Sequence, residues 1–291
     1  MKKYIFLFLS VSPILCMEKP TYEIREWDAP AYDKGCTFQT DAFLYLLNKN
    51  NITYAKKDII DVGCGTARIA QHLAPQANSI LCIDASKNMI NFAKNNNQAK
   101  NISFQHAFAE EFKSDKLYQL GFLSFCFHWL QNQNAALKQM YDNLKDNGEL
   151  FATIHTINTP EPTSLPAARK TIEFIDNIHQ WFNRKSFIEL SGSEFPSDQE
   201  VTTMLKNTGF TILKMEQQSF ECEMTEEEIR NTEWPIISSR PIMQWIPTIL
   251  IDYFFKKYIE HYLALTQKQS NGKYLEKLTT TIIHARKTDK K

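Results

Sequence analysis

Residues Asp58–Asp84, DIIDVGCGTARIAQHLAPQANSILCID, carry the clearest fold pattern of this chain. It opens on a short, largely β-branched apolar run, which is typical of a strand buried on both faces of a parallel sheet. A glycine turn follows, and a helix is predicted from about Thr66 to Leu73. Ile80–Ile83 predicts a second buried strand that ends at Asp84. Acids therefore lie at the carboxyl ends of two strands, where α/β sheets bind ligands.

The two glycines of the turn, Gly63 and Gly65, have a physical task. Without a Cβ atom, each lets the backbone approach a ligand closely and tolerates a positive φ. Asp84 lies about 20 residues beyond Gly65, a distance at which a carboxylate can accept hydrogen bonds from a ribose diol. A dinucleotide fingerprint needs Gly or Ala at position 68, where this chain has Arg68, so NAD and FAD are disfavoured.

The run Asp61-Val62-Gly63-Cys64-Gly65-Thr66-Ala67 resembles the first motif of class I S-adenosylmethionine (SAM)-dependent methyltransferases, with Ala67 in place of the third glycine. The resemblance implies an α/β, Rossmann-like fold with a seven-stranded mixed sheet, helices on both faces, an antiparallel last strand and a helical cap. It implies SAM as the cofactor, bound by a set of residues in and around the turn: Asp61, Gly63, Cys64, Gly65, Asp84 and Ala85. The structural alternative is a glycine turn that only packs a helix against the sheet.

The adenine side of the expected site follows Asp84. A helix is predicted over Ala85–Asn95, and its Met89 could line an adenine pocket, although a helix methionine is more often core. In the family, an acid after the third strand binds the adenine amino group. This chain has Phe108 at that position, followed by a matching Ala109 and Glu110. The hypothesis is that Phe108 packs on the adenine ring while backbone or Glu110 supplies the polar contact.

Three residues are candidates for the acceptor side and for catalysis: Gln39, His128 and Trp129. Their segments resemble the juvenile hormone acid and trans-aconitate carboxyl methyltransferases. The neutral amide of Gln39 could hold a carboxylate, and a solvated helix position is its alternative. A carboxylate needs no base, so His128 would orient it, whereas for a hydroxyl or phenol His128 becomes the general base. Trp129 alone is more often a packing residue.

The favoured acceptor is therefore the carboxylate of a small, partly apolar organic acid, methylated to an ester. One alternative is O- or C-methylation of another small molecule, such as a hydroxyl compound or a quinone-like ring. Another is SAM binding without catalysis, suggested by Phe108. The identity of the acceptor does not follow from the sequence.

The composition narrows the partners. The chain has 291 residues with 33 basic and 33 acidic side chains, a balance that disfavours electrostatic nucleic-acid binding. The six cysteines include no C-x-x-C pair and are interpreted as reduced core residues rather than disulfides or metal ligands. We expect a monomer with a small-molecule acceptor and no nucleic-acid partner. We also expect no integral membrane span, because the uncharged run Pro241–Ile251 is too short to cross a bilayer.

The first residues, 1–16 (MKKYIFLFLSVSPILC), look like a secretory signal, and a true start at Met17 is the alternative. We expect a cytoplasmic protein because SAM is made there and the cysteines look reduced; a true signal would export it. Residues 17–291 are expected to form the methyltransferase domain, with a core of about 40–156, 198–222 and 274–287 and caps at about 157–197 and 223–273. Trp234 and Trp245 are predicted to form one wall of an apolar lid over the acceptor.

Overall fold

A computed structural model describes residues 26–160, 166–171, 195–238 and 248–288. The helices are α1 (Ala29–Gly35), α2 (Thr37–Lys49), α3 (Arg68–Leu73), α4 (Lys87–Asn96), α5 (Gln133–Asn143), α6 (Asp198–Thr208), α7 (Glu226–Ser238) and α8 (Thr248–Leu265). The strands are β1 (Asp58–Val62), β2 (Ser79–Asp84), β3 (Ile102–His106), β4 (Tyr118–Ser124), β5 (Leu144–Ile154), β6 (Phe210–Met224), β7 (Gln267–Lys268) and β8 (Tyr274–Lys287).

The strands form one mixed sheet in the order β3-β2-β1-β4-β5-β8-β6. The first five strands pair in parallel, and β8 is antiparallel to both β5 and β6. This confirms the predicted seven-stranded mixed sheet with an antiparallel last strand, to which the two-residue β7 adds a short eighth strand. The chain reverses its direction across the sheet between β1 and β4, and such a reversal opens a ligand crevice at the carboxyl ends of the strands.

Both faces of the sheet are covered by apolar side chains, as the β-branched run in β1 predicts. Ile60 and Val62 belong to a cluster that includes α5, whereas their neighbour Ile59 packs on the other face in a cluster that includes α2 and α3. Successive strand side chains point to opposite faces, so one strand supplies both clusters. Packing on both faces holds the carboxyl end of β1 in a fixed position.

Two element boundaries differ from the sequence prediction. The expected strand over Leu120–Leu130 ends at Ser124, Phe125 adopts a left-handed φ of 52°, and a 3₁₀ turn follows at Phe127–Trp129. The apolar pattern continues past the strand because Phe125 and Phe127 are buried inside the turn. Helix α3 begins at Arg68 rather than Thr66, because Ala67 has a φ of 62° and cannot belong to a right-handed helix.

Helix α7 packs close to α1. Thr232 of α7 donates a hydrogen bond from its hydroxyl to the carbonyl of Gly35, at 2.6 Å. A Cβ atom on Gly35 would lie 2.0 Å from the Asn231 carbonyl oxygen, so only glycine allows this approach. Most of the predicted cap helix Arg169–Phe182, together with Trp245, lies outside the described residues. Among the helices of the described part of the chain, none has the length and apolar character that a membrane crossing requires.

Candidate functional site

The turn after β1 is built from three left-handed residues. Gly63, Gly65 and Ala67 have φ values of 76°, 55° and 62°. The carbonyl of Ile83 accepts hydrogen bonds from the backbone N–H groups of Gly63 and Cys64, at 2.8 and 3.0 Å, which ties the turn to the end of β2. A Cβ atom on Gly63 would lie 2.6 Å from the Cβ atom of Cys126. The turn therefore cannot take a side chain at position 63 without local rearrangement.

Asp84 is fixed against this turn. Its Oδ2 accepts a hydrogen bond from the Gly65 N–H and its Oδ1 accepts one from the Ser86 N–H, both at 2.8 Å. Burial raises the pKa of Asp84, and the two backbone hydrogen bonds oppose that shift. Each carboxylate oxygen has two lone pairs, so Asp84 can still accept hydrogen bonds from hydroxyl groups.

Asp61 is the least satisfied polar side chain of the site. The residue is 1% exposed, and neither carboxyl oxygen has a hydrogen-bond partner in the part of the chain that the structure describes. Burial, and then the nearby charge of Asp84, raises the pKa of Asp61 to about 7. Buried polar groups in folded proteins are almost always paired. A cationic ligand beside Asp61 would supply the partner, and SAM carries both an ammonium and a sulfonium group.

The predicted adenine-side residues are less uniform. Met89 is buried and Phe108 is partly exposed, whereas Ala109 packs in the cluster that includes α5. The Oε1 of Glu110 accepts a hydrogen bond from the Asn132 N–H at 3.1 Å, next to the start of α5. Ala85 contributes its carbonyl to a 3.0 Å hydrogen bond with His106. The sequence analysis predicted that either the backbone or the Glu110 side chain makes the polar contact to adenine. One oxygen of Glu110 already accepts a hydrogen bond within the protein.

A segment before α2 covers the turn. The ring of Tyr32 lies 3.4 Å from where a Cβ atom of Gly65 would be, and its hydroxyl donates to the Gln39 Oε1 at 3.1 Å. Trp27 packs edge-on against both Tyr32 and Trp129, with 5.5 Å between ring centroids in each pair. The structure therefore brings Gln39 and Trp129 to the same place. No local pattern in the sequence indicated that Trp27 and Tyr32 would join them.

The same segment explains Arg68, the residue that disfavoured a dinucleotide. Its guanidinium pairs with both carboxylate oxygens of Asp33 in α1, at 2.9 and 3.1 Å. Two parallel hydrogen bonds fix the geometry of such a pair. Arg68 therefore anchors α1 over the turn.

A cavity of about 110 Å³ lies beside Tyr32. It is lined by all three predicted acceptor-side residues, Gln39, His128 and Trp129. The His128 ring is 8% exposed and stacks on Phe195, with 5.3 Å between centroids and 11° between planes. The remaining described lining residues are mostly aromatic or aliphatic: Trp27, Tyr32, Phe38, Phe125, His155, Phe195, Met224, Ile229, Thr232, Glu233, Ile236, Tyr262, Glu276, Lys277 and Leu278.

Two glutamates of this cavity were missed by the sequence analysis. Glu233 in α7 and Glu276 in β8 are 5% and 6% exposed. The Tyr258 hydroxyl donates to Glu233, and the Tyr262 hydroxyl bonds to Glu276. The two tyrosines lie one turn apart on α8, so that one helix holds both carboxyl groups. Neither glutamate belongs to a motif, and only the folded chain brings them together.

Among the described residues, no three His, Cys, Asp or Glu side chains are grouped so as to hold a metal ion. The five cysteines of this part of the chain are free. Burial raises the pKa of Cys126 and Cys64 above the ordinary thiol value, which keeps both as neutral thiols.

Residues 59–148 match the family model described as "Methyltransferase domain". The chain is 28% identical over 178 residues to the ubiquinone biosynthesis O-methyltransferase of Rickettsia canadensis, covering 59% of this chain and 71% of that protein. It is 29% identical over 129 residues to the malonyl-[acyl-carrier protein] O-methyltransferase of Bacillus cytotoxicus, covering 42% of this chain and less than half, 45%, of that protein. The solved structure of YcgJ from Bacillus subtilis has a TM-score of 0.54 at 16% identity, with 86% of this chain and 100% of that chain covered, a likeness of fold.

The chain therefore carries a class I, SAM-dependent methyltransferase domain with the Rossmann-like fold of that class. Its cofactor is SAM, as the glycine turn and the two acids predict. The narrower resemblance to the trans-aconitate and juvenile hormone acid enzymes stays a prediction.

Proposed function

We propose that this protein transfers a methyl group from SAM to an oxygen of a small, largely apolar acceptor, and that the oxygen belongs to a hydroxyl group. The observation that carries the proposal is the aromatic cavity, which adjoins the glycine turn through Tyr32 and contains His128. Walls of this kind exclude water and hold an apolar molecule in one orientation, which is much of what a methyl transfer requires.

Asp61, Asp84 and the glycine turn would hold the cofactor. When bound, SAM supplies an electrophilic methyl group on its sulfonium sulfur. His128 can accept the proton of an acceptor hydroxyl as the oxygen forms its bond to the methyl carbon and the sulfur–carbon bond breaks. The Trp27–Trp129 pair and Phe195 surround His128 and limit its contact with water.

The polar lining favours a hydroxyl over the carboxylate that the sequence analysis favoured. Among the described lining residues, Lys277 is the one with a permanent positive charge, whereas Glu233 and Glu276 add two buried carboxyl groups to the lining of the same cavity. A carboxylate acceptor would have to be desolvated near these acids, which is unfavourable. Both relatives are named O-methyltransferases, one of ubiquinone biosynthesis and one of malonyl-[acyl-carrier protein], so the names do not decide between a hydroxyl and a carboxylate.

The test is turnover of labelled SAM with a fractionated metabolite extract, followed by mild base treatment of the methylated product. A methyl ether survives base and a methyl ester does not, so a base-stable product supports the proposal. A base-labile product would instead support the carboxylate acceptor that the sequence analysis favoured. An extract that yields no methylated product with wild-type protein, while SAM binding is intact, would favour binding without catalysis.

His128→Asn keeps a polar side chain but removes the base. We expect kcat with a hydroxyl acceptor to fall by roughly 100-fold or more while the SAM dissociation constant stays within about 3-fold. An equal loss of SAM binding would show that His128 supports the fold of the site instead.

A further inference from the structure

His155 was not identified from the sequence, although it lies in the same cavity wall as His128. It directly follows β5 and is 6% exposed. Its ring lies 5.3 Å from the His128 ring and 6.0 Å from the Phe125 ring, measured between centroids. The turn after β4 and the residue after β5 thus present two imidazole rings to one small cavity.

One ring nitrogen of His155 already has a hydrogen-bond partner. The backbone carbonyl of Thr279 in β8 accepts a hydrogen bond from the ring. A carbonyl can only accept, so the ring nitrogen facing it carries the proton. The Nδ1 atom has no hydrogen-bond partner in the described parts of the chain, and it is buried. It is therefore left as an acceptor with an unused lone pair.

The ring stays neutral under ordinary conditions, because burial lowers the pKa of His155 to about 4. A neutral Nδ1 acceptor is a poor site for an anion and a good one for an O–H or N–H donor. Buried acceptors without a partner are rare in folded proteins and indicate a missing ligand or water.

We propose that His155 selects the acceptor: its Nδ1 accepts a hydrogen bond from a second polar group, an O–H or N–H, on the molecule whose hydroxyl faces His128. This inference rests on the proposed function and narrows its substrate class. The 5.3 Å between the two rings places both within reach of atoms on neighbouring carbons of one small ring. The acceptor class is then a small aromatic compound with two adjacent polar groups. One is the hydroxyl that is methylated, and the other is an O–H or N–H that donates to His155.

The acidic part of the cavity lining is consistent with such a molecule. The carboxyl groups of Glu233 and Glu276, held by the tyrosines of α8, are hydrogen-bond acceptors as well. An acceptor with further donors could bond to them, whereas one with only acceptor atoms could not. The wall and His155 therefore demand the same chemistry from the ligand.

The experiment measures the binding of four probes to the full chain saturated with S-adenosylhomocysteine: benzene-1,2-diol, phenol, 2-methoxyphenol and toluene. We expect benzene-1,2-diol to bind at least 10-fold more tightly than phenol or 2-methoxyphenol, and toluene to be weakest. In histidine side-chain ¹⁵N spectra, the diol should shift the Nδ1 resonance of His155, and toluene should leave it unchanged.

Two variants of His155 test whether the hydrogen-bond acceptor or only the ring shape of this side chain determines the preference for the diol. His155→Phe keeps a ring without an acceptor and should bring the diol to the affinity of phenol, a loss of about 10-fold, with toluene unaffected. His155→Asn presents an amide oxygen near the position of Nδ1 and should restore most of the preference. Thermal unfolding and S-adenosylhomocysteine binding check that both variants fold, and the wild-type spectra decide the question if one does not.

The inference is overturned by equal binding of the four probes, by a diol that leaves Nδ1 unshifted, by a His155→Phe preference equal to wild type, or by no probe binding at millimolar concentration. The proposed function has a separate readout. Turnover of SAM to a base-stable product without any preference for a second donor removes only the role of His155. A preference for the diol without turnover of any acceptor removes the proposed reaction.

Discussion

The two ends of β1 each carry an aspartate, and the fold treats these two side chains in opposite ways. At the amino edge, Asp58 accepts hydrogen bonds from Asn78, Ser79 and Lys116 at 2.7, 2.7 and 3.2 Å. Partial burial acts to raise the pKa of Asp58, but the hydrogen bonds from Ser79, Asn78 and Lys116 outweigh it and hold that pKa well below its usual range. Near the carboxyl edge, Asp61 has no such donor among the described residues, and its pKa is raised to about 7.

The difference separates stability from function within one strand. Asp58 is ionised and satisfied by the protein itself, so it contributes to folding. Asp61 is buried without a partner, which costs stability and is tolerated where a ligand completes the site. Mutating Asp61 should therefore stabilise the cofactor-free protein and weaken SAM binding, whereas mutating Asp58 should destabilise the protein and leave SAM binding unchanged.

The largest expected effect is at the glycine turn that follows Asp61. Gly63→Arg adds a side chain where φ is 76° and where a Cβ atom would lie 2.6 Å from Cys126. We expect SAM binding, measured by calorimetry, to be lost. Gly272→Arg is the matched control, since Gly272 has a φ of 83° and no atom within 4 Å of its would-be Cβ. The control carries the same backbone strain, so loss of SAM binding there as well would contradict a local role for Gly63.

Asp61→Asn is expected to have the next largest effect, with opposite signs for binding and for folding. Removing the carboxylate should weaken SAM binding roughly 100-fold, the effect of one close charge pair in a partly dry site. It should also raise the free energy of unfolding of the cofactor-free protein above neutral pH by about 2–4 kcal/mol, given one folded pKa near 7 and an unfolded value near 4. Denaturant unfolding with and without SAM measures both.

The pH dependence follows from the direction of the shift. A folded pKa raised above the unfolded one means that folding takes up a proton, so the contribution of Asp61 to stability falls as pH rises from about 4 to 7 and is level beyond that range. Asp61→Asn should flatten this part of the profile. A wild-type profile that is already flat between those values would show that Asp61 is ionised and paired in solution.

The cofactor half of the site was largely predictable because it is local in sequence. The strand, the turn and Asp84, which is predicted to bind the ribose, lie within Asp58–Asp84, and backbone conformation alone limits which residues can form the turn. Even there, the left-handed Ala67 was not predicted, because φ at a non-glycine residue depends on the packing around it. The mixed sheet with its antiparallel last strand also followed, because the first motif resembles that of the class I methyltransferases, whereas the order of the strands was not predicted.

The acceptor half could not be predicted to the same degree. Its cavity collects side chains from the segment before α2, the turn after β4, the end of β5, α7, α8 and β8. From the sequence alone, His155 resembles the last residue of an ordinary strand, and Glu233 resembles one of several acids on a helix. Only contacts between distant parts of the chain reveal that these polar groups face a cavity. Trp234, one of the two predicted lid residues, packs on Phe255 with 4.9 Å between ring centroids.

Asp58→Asn tests the other end of β1, where a moderate effect is expected. The neutral amide cannot accept the hydrogen bonds from Ser79 and Asn78 equally well and loses its attraction to Lys116, which is half-exposed. We expect the free energy of unfolding to fall by about 1–2 kcal/mol at neutral pH, with SAM affinity unchanged within 2-fold. Because the folded pKa is lowered, this contribution is present above about pH 4 and is lost in more acidic solution. A larger loss of SAM binding than of stability would break the contrast between the two ends.

The smallest effect is expected at Glu26, an acid at the carboxyl edge that does have partners. Its carboxylate accepts hydrogen bonds from the Ser86 hydroxyl at 2.7 Å and from the N–H groups of Asn88 and Lys87 at 3.0 and 3.2 Å, at the start of α4. Burial acts to raise the pKa of Glu26, but these hydrogen bonds leave it lowered, the opposite of Asp61. Position at the carboxyl edge is thus not enough to raise a pKa; the absence of donors is what matters.

Glu26→Gln keeps an acceptor oxygen and removes the charge that a helix amino terminus favours. We expect a loss of about 0.5 kcal/mol in the free energy of unfolding, smaller in 1 M salt, and SAM affinity within about 2-fold of wild type. A gain in stability, like that expected for Asp61→Asn, would mean that burial alone sets the energetics of acids at this edge.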